Sequence, residues 1–344
     1  MHSSLDDEQL SASSADTGAL PVDLSLIVPC FNEEGNVEAF YREAVQTFDE
    51  AHVSIELVFV DDGSRDATLA RLREVAADAD GSVPVQVISF SRNFGKESAI
   101  YAGMKAARGR TLCLIDADLQ QPPALALSMF DYLRTHPGTD VVAAYQDVRN
   151  EGKVVAWLKR SFYKWFNRVT DHIEIPENMS DFRVFRRSVA EALLSLPETY
   201  RFSKGLFAWV GFRTHAVPYT PRERNSGTSK WTVRALFKYA FVGMMAFSTW
   251  PLKVVKWFGA VVSLASFAYL LYVIIVDYLI IGTAVPGYAT LVSLMLLFGG
   301  IEMIALGVIG DYLARGYIEE KRRPLYIVRE RIESDMPDGS GERQ

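Results

Sequence analysis

The sequence predicts an α/β domain built on a mostly parallel sheet, followed by a membrane region with two transmembrane helices. In the first half of the chain, short apolar runs alternate with stretches of helical periodicity, which is the pattern of parallel βαβ units. In the last third, two apolar segments at 257–281 and 288–312 are each long enough to cross the hydrocarbon core of a bilayer. A chain of 344 residues has room for both parts.

Five apolar runs are the predicted strands: LSLIVPC (24–30), SIELVFVDD (54–62), VQVISF (85–90), TLCLID (111–116) and DVVAAY (140–145). Helices are predicted between them, near 36–49, 66–77, 96–107 and 123–134. The strands are apolar almost throughout, as expected when helices cover both faces of a parallel sheet. Ligands of such sheets bind at the carboxyl ends of the strands, so the polar residues there are the functional candidates.

The charges around the two apolar segments predict their orientation. The loop between them, GTAVPG (282–287), carries no charge. Basic residues lie on the outer side of each segment: Lys253, Lys256, Arg315, Lys321, Arg322 and Arg323. The positive-inside rule therefore places both flanks, and everything before residue 250, in the cytoplasm.

Composition divides the chain into five parts. A Ser-, Asp- and Ala-rich tail over 1–22, expected to be disordered, and a sheet domain over 23–230 come first. Aromatic and apolar residues at 231–253 predict juxtamembrane helices that lie on the inner leaflet, with an amphipathic core helix as the alternative. The two-helix membrane region over 254–314 and a cytoplasmic tail over 315–344 complete the chain.

Charge, cysteine content and missing motifs exclude several classes of protein. The formal net charge is −6 and no long basic run occurs, so nucleic-acid binding is not indicated. Cys30 and Cys113 lie far apart in apolar runs, which excludes a disulfide framework or a zinc site built from cysteines. No G-x-G-x-x-G follows the first strand and no Walker lysine loop occurs, so neither a dinucleotide fold nor a P-loop is supported.

Polar clusters end the first four predicted strands: PCFNEE (29–34), DDGS (61–64), SRNFGK (91–96) and DADLQ (116–120). One such cluster could cap a helix, but four at successive strand ends indicate a binding site. Asp116 and Asp118 of the fourth cluster can aim two carboxylates at one point, which suits Mg²⁺ or Mn²⁺. Such an ion can clamp a diphosphate and stabilise a departing nucleoside diphosphate. A D-x-D pair alone is a weak signal, since many are caps or turns.

The motifs VPCFNEEGN, VFVDDGSRDAT, SRNFGKESAIYAG and DADLQQPP, in this order, resemble glycosyltransferase family 2. The resemblance covers roughly residues 24–235 and implies a Rossmann-like GT-A fold for the cytosolic domain. Two later stretches, NMSDFRVFRRSV (178–189) and RFSKGLFAWVGF with RERNSGTSKW (201–231), resemble the polyisoprenyl-phosphate glycosyltransferases. That group includes the bacterial bactoprenol glucosyltransferases and is related to the dolichyl-phosphate mannose synthases.

The resemblance implies a role for each motif. Nucleotide-sugar binding is implied for Pro29, Phe31, Glu33 and Asp116, together with Asp61 or Asp62. Metal and diphosphate binding is implied for Asp116, Asp118 and Gln120. Binding of donor or acceptor phosphates is implied for Arg201, Arg222, Arg224, Ser229 and Lys230. The catalytic residues would be Asp118 and Asp181, the latter as the base or the group that positions the acceptor.

Two of these roles have structural alternatives. Asp181 could be only an ion-pair partner of Arg183 or Arg186. Arg222 and Arg224 could be solvated surface charge, or could bind anionic lipid head groups generally.

The implied activity is the inverting transfer of a hexose from a nucleotide sugar, with UDP-glucose favoured, to undecaprenyl phosphate, assisted by Mg²⁺ or Mn²⁺. A lipid phosphate is already an anion near neutral pH, so positioning and leaving-group neutralisation are the main demands. GDP-mannose or a UDP-amino sugar is the alternative donor. A catalytically idle binding protein on the same fold is the alternative class, because Gln121 stands where the family pattern DLQDPP has an acid.

The resemblance and the apolar segments together predict partners and location. The resemblance implies a nucleotide sugar and polyprenyl phosphate as partners. The two apolar segments predict the lipid bilayer as a further partner and could form a larger bundle between copies of the chain, so a homo-oligomer is expected. The expected location is the bacterial inner membrane, crossed more than once, with the catalytic domain and both termini in the cytoplasm.

Overall fold

The computed structural model describes residues 22–79, 83–146, 179–196, 198–222, 250–272, 275 and 287–334. Its strands are β1 (Leu24–Cys30), β2 (Ile55–Asp61), β3 (Val85–Phe90), β4 (Thr111–Leu114), β5 (Val141–Gln146), β6 (Met179–Arg186), β7 (Thr214–Tyr219) and β8 (Val328–Glu333). Its helices are α1 (Val37–Glu50), α2 (Thr68–Asp78), α3 (Lys96–Ala106), α4 (Pro123–Thr135), α5 (Arg187–Ser195), α6 (Ser203–Trp209), α7 (Trp250–Tyr272) and α8 (Tyr288–Glu320). The strands form one sheet in the order β7-β5-β6-β4-β1-β2-β3-β8.

The sheet is mostly parallel, as predicted. β1 pairs in parallel with β2 and β4, β2 with β3, and β5 with β7. β6 is inserted between β4 and β5 and runs antiparallel to both. Because β6 runs in the opposite direction, its first residues lie beside the carboxyl end of β4. The predicted α/β, Rossmann-like fold class is therefore confirmed.

Two apolar layers cover the faces of the sheet. Leu24, Leu26 and Val28 of β1 join one layer with α1, α2 and α4. Ile27, between them in sequence, joins the other layer with α3, α5 and α6. Because both faces are covered, β1 and β2 are buried almost throughout, which explains their continuous apolar sequences.

Strand β8 lies in a segment that was expected to be a cytoplasmic tail. It pairs antiparallel with β3, with Ile332 opposite Val87. Just before β8, the ring of Tyr326 stacks on Phe90 with centroids 4.8 Å apart. Its sequence, VRERIE, lacks the apolar signature of the other strands because it forms a charged edge, and charged edges resist pairing with other chains. Residues 328–333 therefore belong to the sheet.

Helices α7 and α8 expose large apolar side chains, including Trp257, Leu264 and Ile304. Within the residues that the structure describes, however, no helix combines the length and the apolar character needed to cross a membrane. The two transmembrane helices predicted at 257–281 and 288–312 are therefore not supported by the structure.

Several other predictions concern residues outside those described. These residues are the amino-terminal tail up to 21, the juxtamembrane segment from 231 to 249, the loop at 282–286 and the end of the chain from 335.

Candidate active site

A cleft of about 270 Å³ opens at the carboxyl ends of the parallel strands. It brings together residues predicted to bind the nucleotide sugar and the metal: Pro29, Phe31, Glu33, Asp62, Asp116 and Asp118. One side is completed by Asn93 and Gly95, from the connection between β3 and α3, and by Lys96, the first residue of α3. The cleft therefore lies where a parallel sheet is expected to bind its ligand.

The loops after β1 and β2 are tied together by hydrogen bonds. Asn32 turns the chain with a positive φ of 55°, and its backbone N–H donates to the Ser64 hydroxyl at 2.9 Å. The Asn32 side-chain oxygen accepts from the backbone N–H of Arg65 at 2.9 Å. The backbone N–H of Glu33 donates to the Thr68 hydroxyl at 2.8 Å. These contacts hold the cleft side of the β1 loop in a defined position.

The adjacent acids at the end of β2 have different environments. Asp61 is buried and accepts hydrogen bonds from Ser89 Oγ at 2.8 Å and from the backbone of the following turn at 3.0 Å. Asp62 lines the cleft and accepts from the backbone N–H groups of Phe94 at 2.6 Å and Gly95 at 2.9 Å. Burial raises the pKa of Asp62, and the two backbone donors oppose that rise. Of the two acids left open by the sequence, Asp62 is the one that faces the cleft.

The acidic pair after β4 is held by side chains on both sides. One carboxylate oxygen of Asp116 lies 2.7 Å from Lys96 Nζ. The other oxygen accepts from Gln121 Nε2 at 3.3 Å, while the backbone N–H of Asp116 donates to Gln121 Oε1 at 3.0 Å. Asp118 accepts from the backbone N–H of Gln120 at 3.2 Å. Asp116 is therefore fixed in orientation between a cation and a neutral amide.

Asp181 reaches the same cleft edge because β6 runs antiparallel to β4, with Leu114 opposite Arg183. Its carboxylate lies 3.4 Å from Lys96 Nζ and 3.9 Å from Lys204 Nζ. Burial raises the pKa of Asp181, but Lys96, Lys204 and Arg183 outweigh this effect and lower the pKa to about 2. Asp181 is therefore a permanent anion at neutral pH, beside two ammonium groups.

The two arginines named as alternative partners of Asp181 have other contacts. Arg183 stacks over the ring of Phe207 at 4.1 Å and contributes only part of the positive field at Asp181. Arg186 donates to the backbone carbonyl of Leu133 at 2.9 Å. The close ion pairs of Asp181 are instead with two lysines.

Arg201, expected to hold a phosphate, lies elsewhere. Its guanidinium donates to the backbone carbonyls of Leu193 at 2.8 Å and Leu196 at 3.0 Å, and it lies over the ring of Tyr101 at 4.8 Å. The side chain is buried, since only 8% of the residue is exposed. In this structure Arg201 holds the end of α5 against α3 and is not in the cleft lining.

Arg222 is close to the acidic pair through its backbone. Its N–H donates to the carbonyl of Gln120 at 3.1 Å, and its guanidinium pairs with Glu43 at 2.7 Å. The guanidinium is half-exposed, so it is accessible to an anionic ligand at the rim. The remaining predicted phosphate residues lie outside the described part of the chain: Arg224, Ser229 and Lys230.

The fit of the cleft to a divalent cation depends on two carboxylates. No group of three or more His, Cys, Asp and Glu side chains suited to a metal ion occurs among the described residues. Asp116 and Asp118 nevertheless provide two carboxylates in the lining of one cleft. Mg²⁺ is commonly held by one or two carboxylates together with substrate phosphates and water. The pair therefore fits a cation that arrives with a diphosphate.

Three polar residues of this site were not among the predicted site residues. Lys96 is the last residue of the polar run after β3, and Lys204 lies in the RFSKG motif, so both stood in segments already marked by the sequence. Gln121 adjoins the acidic motif. Position in a motif could have drawn attention to them, but their mutual contacts depend on strands that are distant in sequence.

Comparison with known proteins agrees with this architecture. Residues 25–194 match the family described as Glycosyl transferase family 2. An uncharacterized glycosyltransferase of Synechocystis sp. is 40% identical over 90% of this chain and 95% of its own length. A parallel α/β sheet with an acidic cleft at its strand ends is consistent with that family, and the chain belongs to glycosyl transferase family 2.

Within this family the chain resembles a narrower group. Residues 250–315 match the GtrB C-terminal hairpin. The prophage bactoprenol glucosyl transferase homolog of Escherichia coli K12 is 39% identical over 89% of this chain and 98% of its own. The bactoprenol glucosyl transferase of Shigella phage SfV shows the same identity and coverage. The predicted resemblance is therefore confirmed.

A solved structure, mannosyl-3-phosphoglycerate synthase from Rubrobacter xylanophilus, aligns with 65% of this chain and 72% of its own at 19% identity. The TM-score of 0.45 is too low to support an argument about function.

Proposed function

We propose that this protein transfers a hexose from a nucleotide sugar, with UDP-glucose favoured, to the phosphate of a polyprenyl phosphate. The observation that carries the proposal is that one ammonium group, that of Lys96, contacts acidic residues from two different motifs. Lys96 Nζ lies 2.7 Å from Asp116, in the predicted donor motif, and 3.4 Å from Asp181, in the predicted acceptor motif. Similarity to proteins named bactoprenol glucosyl transferase supports the lipid phosphate as acceptor.

The donor half of the reaction uses the cleft walls. Pro29 and Phe31 offer an apolar surface for the base, and Asp62 is fixed on the opposite loop. Asp116 and Asp118 would hold Mg²⁺ or Mn²⁺, which, when bound with the donor, neutralises the departing diphosphate. Lys96 and the half-exposed guanidinium of Arg222 add positive charge for phosphate oxygens.

In the acceptor half of the reaction, the acceptor phosphate must be positioned but does not need to lose a proton, because it is already an anion near neutral pH. An oxygen of the acceptor phosphate attacks the anomeric carbon, a carbon–oxygen bond forms, and the bond to the nucleoside diphosphate breaks with its electron pair on the diphosphate. A direct attack of this kind inverts the anomeric configuration. Asp181, whose pKa is lowered to about 2, is too weak a base to take a proton at neutral pH, so its role is to hold Lys204 toward the acceptor.

The location of the acceptor explains the apolar helices. A polyprenyl phosphate keeps its chain in lipid and its phosphate at the surface, so the enzyme must work at the bilayer. The match of residues 250–315 to the GtrB hairpin and the exposed apolar side chains of α7 and α8 support membrane attachment. The homo-oligomer and the cytoplasmic orientation of both termini stay predictions.

The test uses purified full-length protein in detergent with undecaprenyl phosphate and Mg²⁺ or Mn²⁺. UDP-glucose, UDP-galactose, UDP-N-acetylglucosamine and GDP-mannose are offered separately. Lipid-linked sugar from one donor, absent with the double variant Asp116→Ala/Asp118→Ala, is the expected result. Metal-dependent nucleotide binding without product from any of the four donors would point to a different sugar. Absence of both binding and transfer would favour a catalytically idle scaffold protein on the same fold.

A further inference from the structure

Lys96 occupies an unusual place for a lysine. It is the first residue of α3 and follows Gly95, whose φ is 99°. The amino end of a helix carries partial positive charge, so a cation in the first turn is disfavoured there. Helix formation therefore does not explain Lys96, and its partners across the cleft do.

The Lys96 ammonium contacts a carboxylate oxygen of Asp116 that an incoming metal ion would use as a ligand. Asp116 has two carboxylate oxygens, and Gln121 already donates to one of them at 3.3 Å. The other oxygen is the one that Lys96 Nζ contacts at 2.7 Å. A divalent ion that binds Asp116 through this oxygen meets the like charge of the ammonium group at close range, and this repulsion favours displacement of the ammonium group.

The displaced ammonium has somewhere to go. The Lys96 side chain is 44% exposed and lines the cleft, so its stem can turn without disturbing the core. Away from Asp116 it keeps one anionic partner, Asp181 at 3.4 Å, whose other carboxylate oxygen pairs with Lys204. A second anion in the cleft would replace the lost contact with Asp116. The diphosphate of a nucleotide is the anion that would enter this cleft together with the cation.

We propose that Lys96 occupies the cation position at Asp116 until donor binds, and then moves onto the donor diphosphate as the divalent cation takes its place. Cation and nucleotide then bind as a coupled pair. The cation alone meets a competing ammonium group, whereas the nucleotide supplies that ammonium with a partner. Coupling of this kind is reciprocal, so the nucleotide also binds more tightly when the cation is present. This inference rests on the proposed function, because it assumes a diphosphate donor.

The test measures Mn²⁺ binding to full-length protein by the loss of the free-ion EPR signal, with and without UDP. In the wild type, UDP is expected to tighten Mn²⁺ binding by about tenfold or more. Without UDP, Lys96→Met is expected to bind Mn²⁺ about tenfold more tightly than the wild type, because the competing cation is gone. UDP should still tighten Mn²⁺ binding to Lys96→Met, since its phosphates are ligands of the ion, but by a smaller factor than in the wild type. Lys96→Arg keeps the competing charge and should retain the wild-type pattern.

The controls separate the possible results. Asp116→Asn should abolish Mn²⁺ binding, which establishes that the signal reports this position. Lys96→Gln repeats the neutral substitution with a polar side chain, in case Lys96→Met does not fold. Weaker or unchanged nucleotide-free Mn²⁺ binding in both neutral variants would overturn the role of Lys96 while leaving the proposed function intact. A wild type that binds neither Mn²⁺ nor UDP would overturn both.

Discussion

Gln121 is the residue that most changes the interpretation of the acidic motif. It is 6% exposed, and its Nε2 faces both Asp116 and, at 3.5 Å, the hydroxyl of Ser180. A backbone N–H only donates and a carboxylate only accepts, so the network requires the oxygen of the amide toward the Asp116 backbone and the nitrogen toward its side chain. A carboxylate at position 121 would place like charges together. Gln121 is therefore a matched partner for Asp116, which removes one argument for an idle site.

Asp181 leads to a prediction about pH. A folded-state pKa near 2 lies below the ordinary aspartate value of about 3.9, so the ionised group stabilises the fold above the ordinary value. That contribution is lost as pH falls through about 2. Between about pH 5 and pH 8, therefore, the rate should show no acid limb from Asp181. We expect Asp181→Asn to lower kcat by about 10²-fold equally across this range, measured as a pH–rate profile.

Asp131→Asn, on the exposed surface of α4, is the matched control and should leave the profile unchanged. An acid limb that is present in the wild type and missing in Asp181→Asn would instead make Asp181 a general base.

Strand β8 is the element that completes the sheet. It covers the edge of β3, and the preceding segment accepts a hydrogen bond from Ser98 of α3 at the carbonyl of Leu325, 3.1 Å away. Its exposed ion pairs, Arg73 with Glu330 and Arg108 with Glu333, add little stability because surface pairs are screened by water. The stabilising part is the backbone ladder together with the Tyr326–Phe90 stack. β8 therefore covers the edge of β3, the strand that leads to Lys96.

Truncation tests this role. Deleting residues 325–344 should lower the unfolding temperature by at least about 5 °C and promote aggregation, because the edge of β3 is exposed. Deleting only 335–344 keeps β8 and should leave the unfolding temperature close to that of the wild type. Calorimetry and size-exclusion chromatography measure both effects. Equal behaviour of the two truncations would show that β8 adds no stability.

Across the whole molecule, α8 is joined to the side of the cleft that we propose binds the acceptor. The carboxylate of Glu319, in its last turn, accepts from the backbone N–H groups of Thr199 at 2.9 Å and Tyr200 at 3.2 Å. This loop leads into α6, where Ser203 hydrogen-bonds Glu97 and Lys204 pairs with Asp181. A continuous set of contacts therefore runs from the hairpin to the residues proposed to position the acceptor.

Breaking this link should affect the acceptor more than the donor. Glu319→Ala removes a charged acceptor from two backbone donors, and we expect the KM for polyprenyl phosphate to rise about tenfold. Binding of UDP, on the other side of the cleft, should stay within about twofold. Glu320→Ala changes the adjacent exposed residue and serves as the control. Equal increases in the constants for both substrates would contradict a specific link to the acceptor side.

The sequence predicted local features of this molecule better than features that depend on contacts between segments distant in sequence. β1 to β5 were predictable because buried parallel strands are continuous apolar runs. β6 and β8 were not, since one carries arginines and the other is mostly charged, and each is placed by pairing with strands far away in sequence. Arg201 has a motif position that suggests a ligand, yet neighbouring carbonyls and an aromatic ring bind its guanidinium.

The position of β8 at the end of the chain also has a consequence for biosynthesis. The ribosome makes β1 to β7 first, then the hairpin, and only afterwards the strand that pairs with β3. Until then the edge of β3 is unpaired, and an unpaired edge can pair with another chain and promote aggregation. The sheet is thus complete only after α7 and α8 have been synthesised.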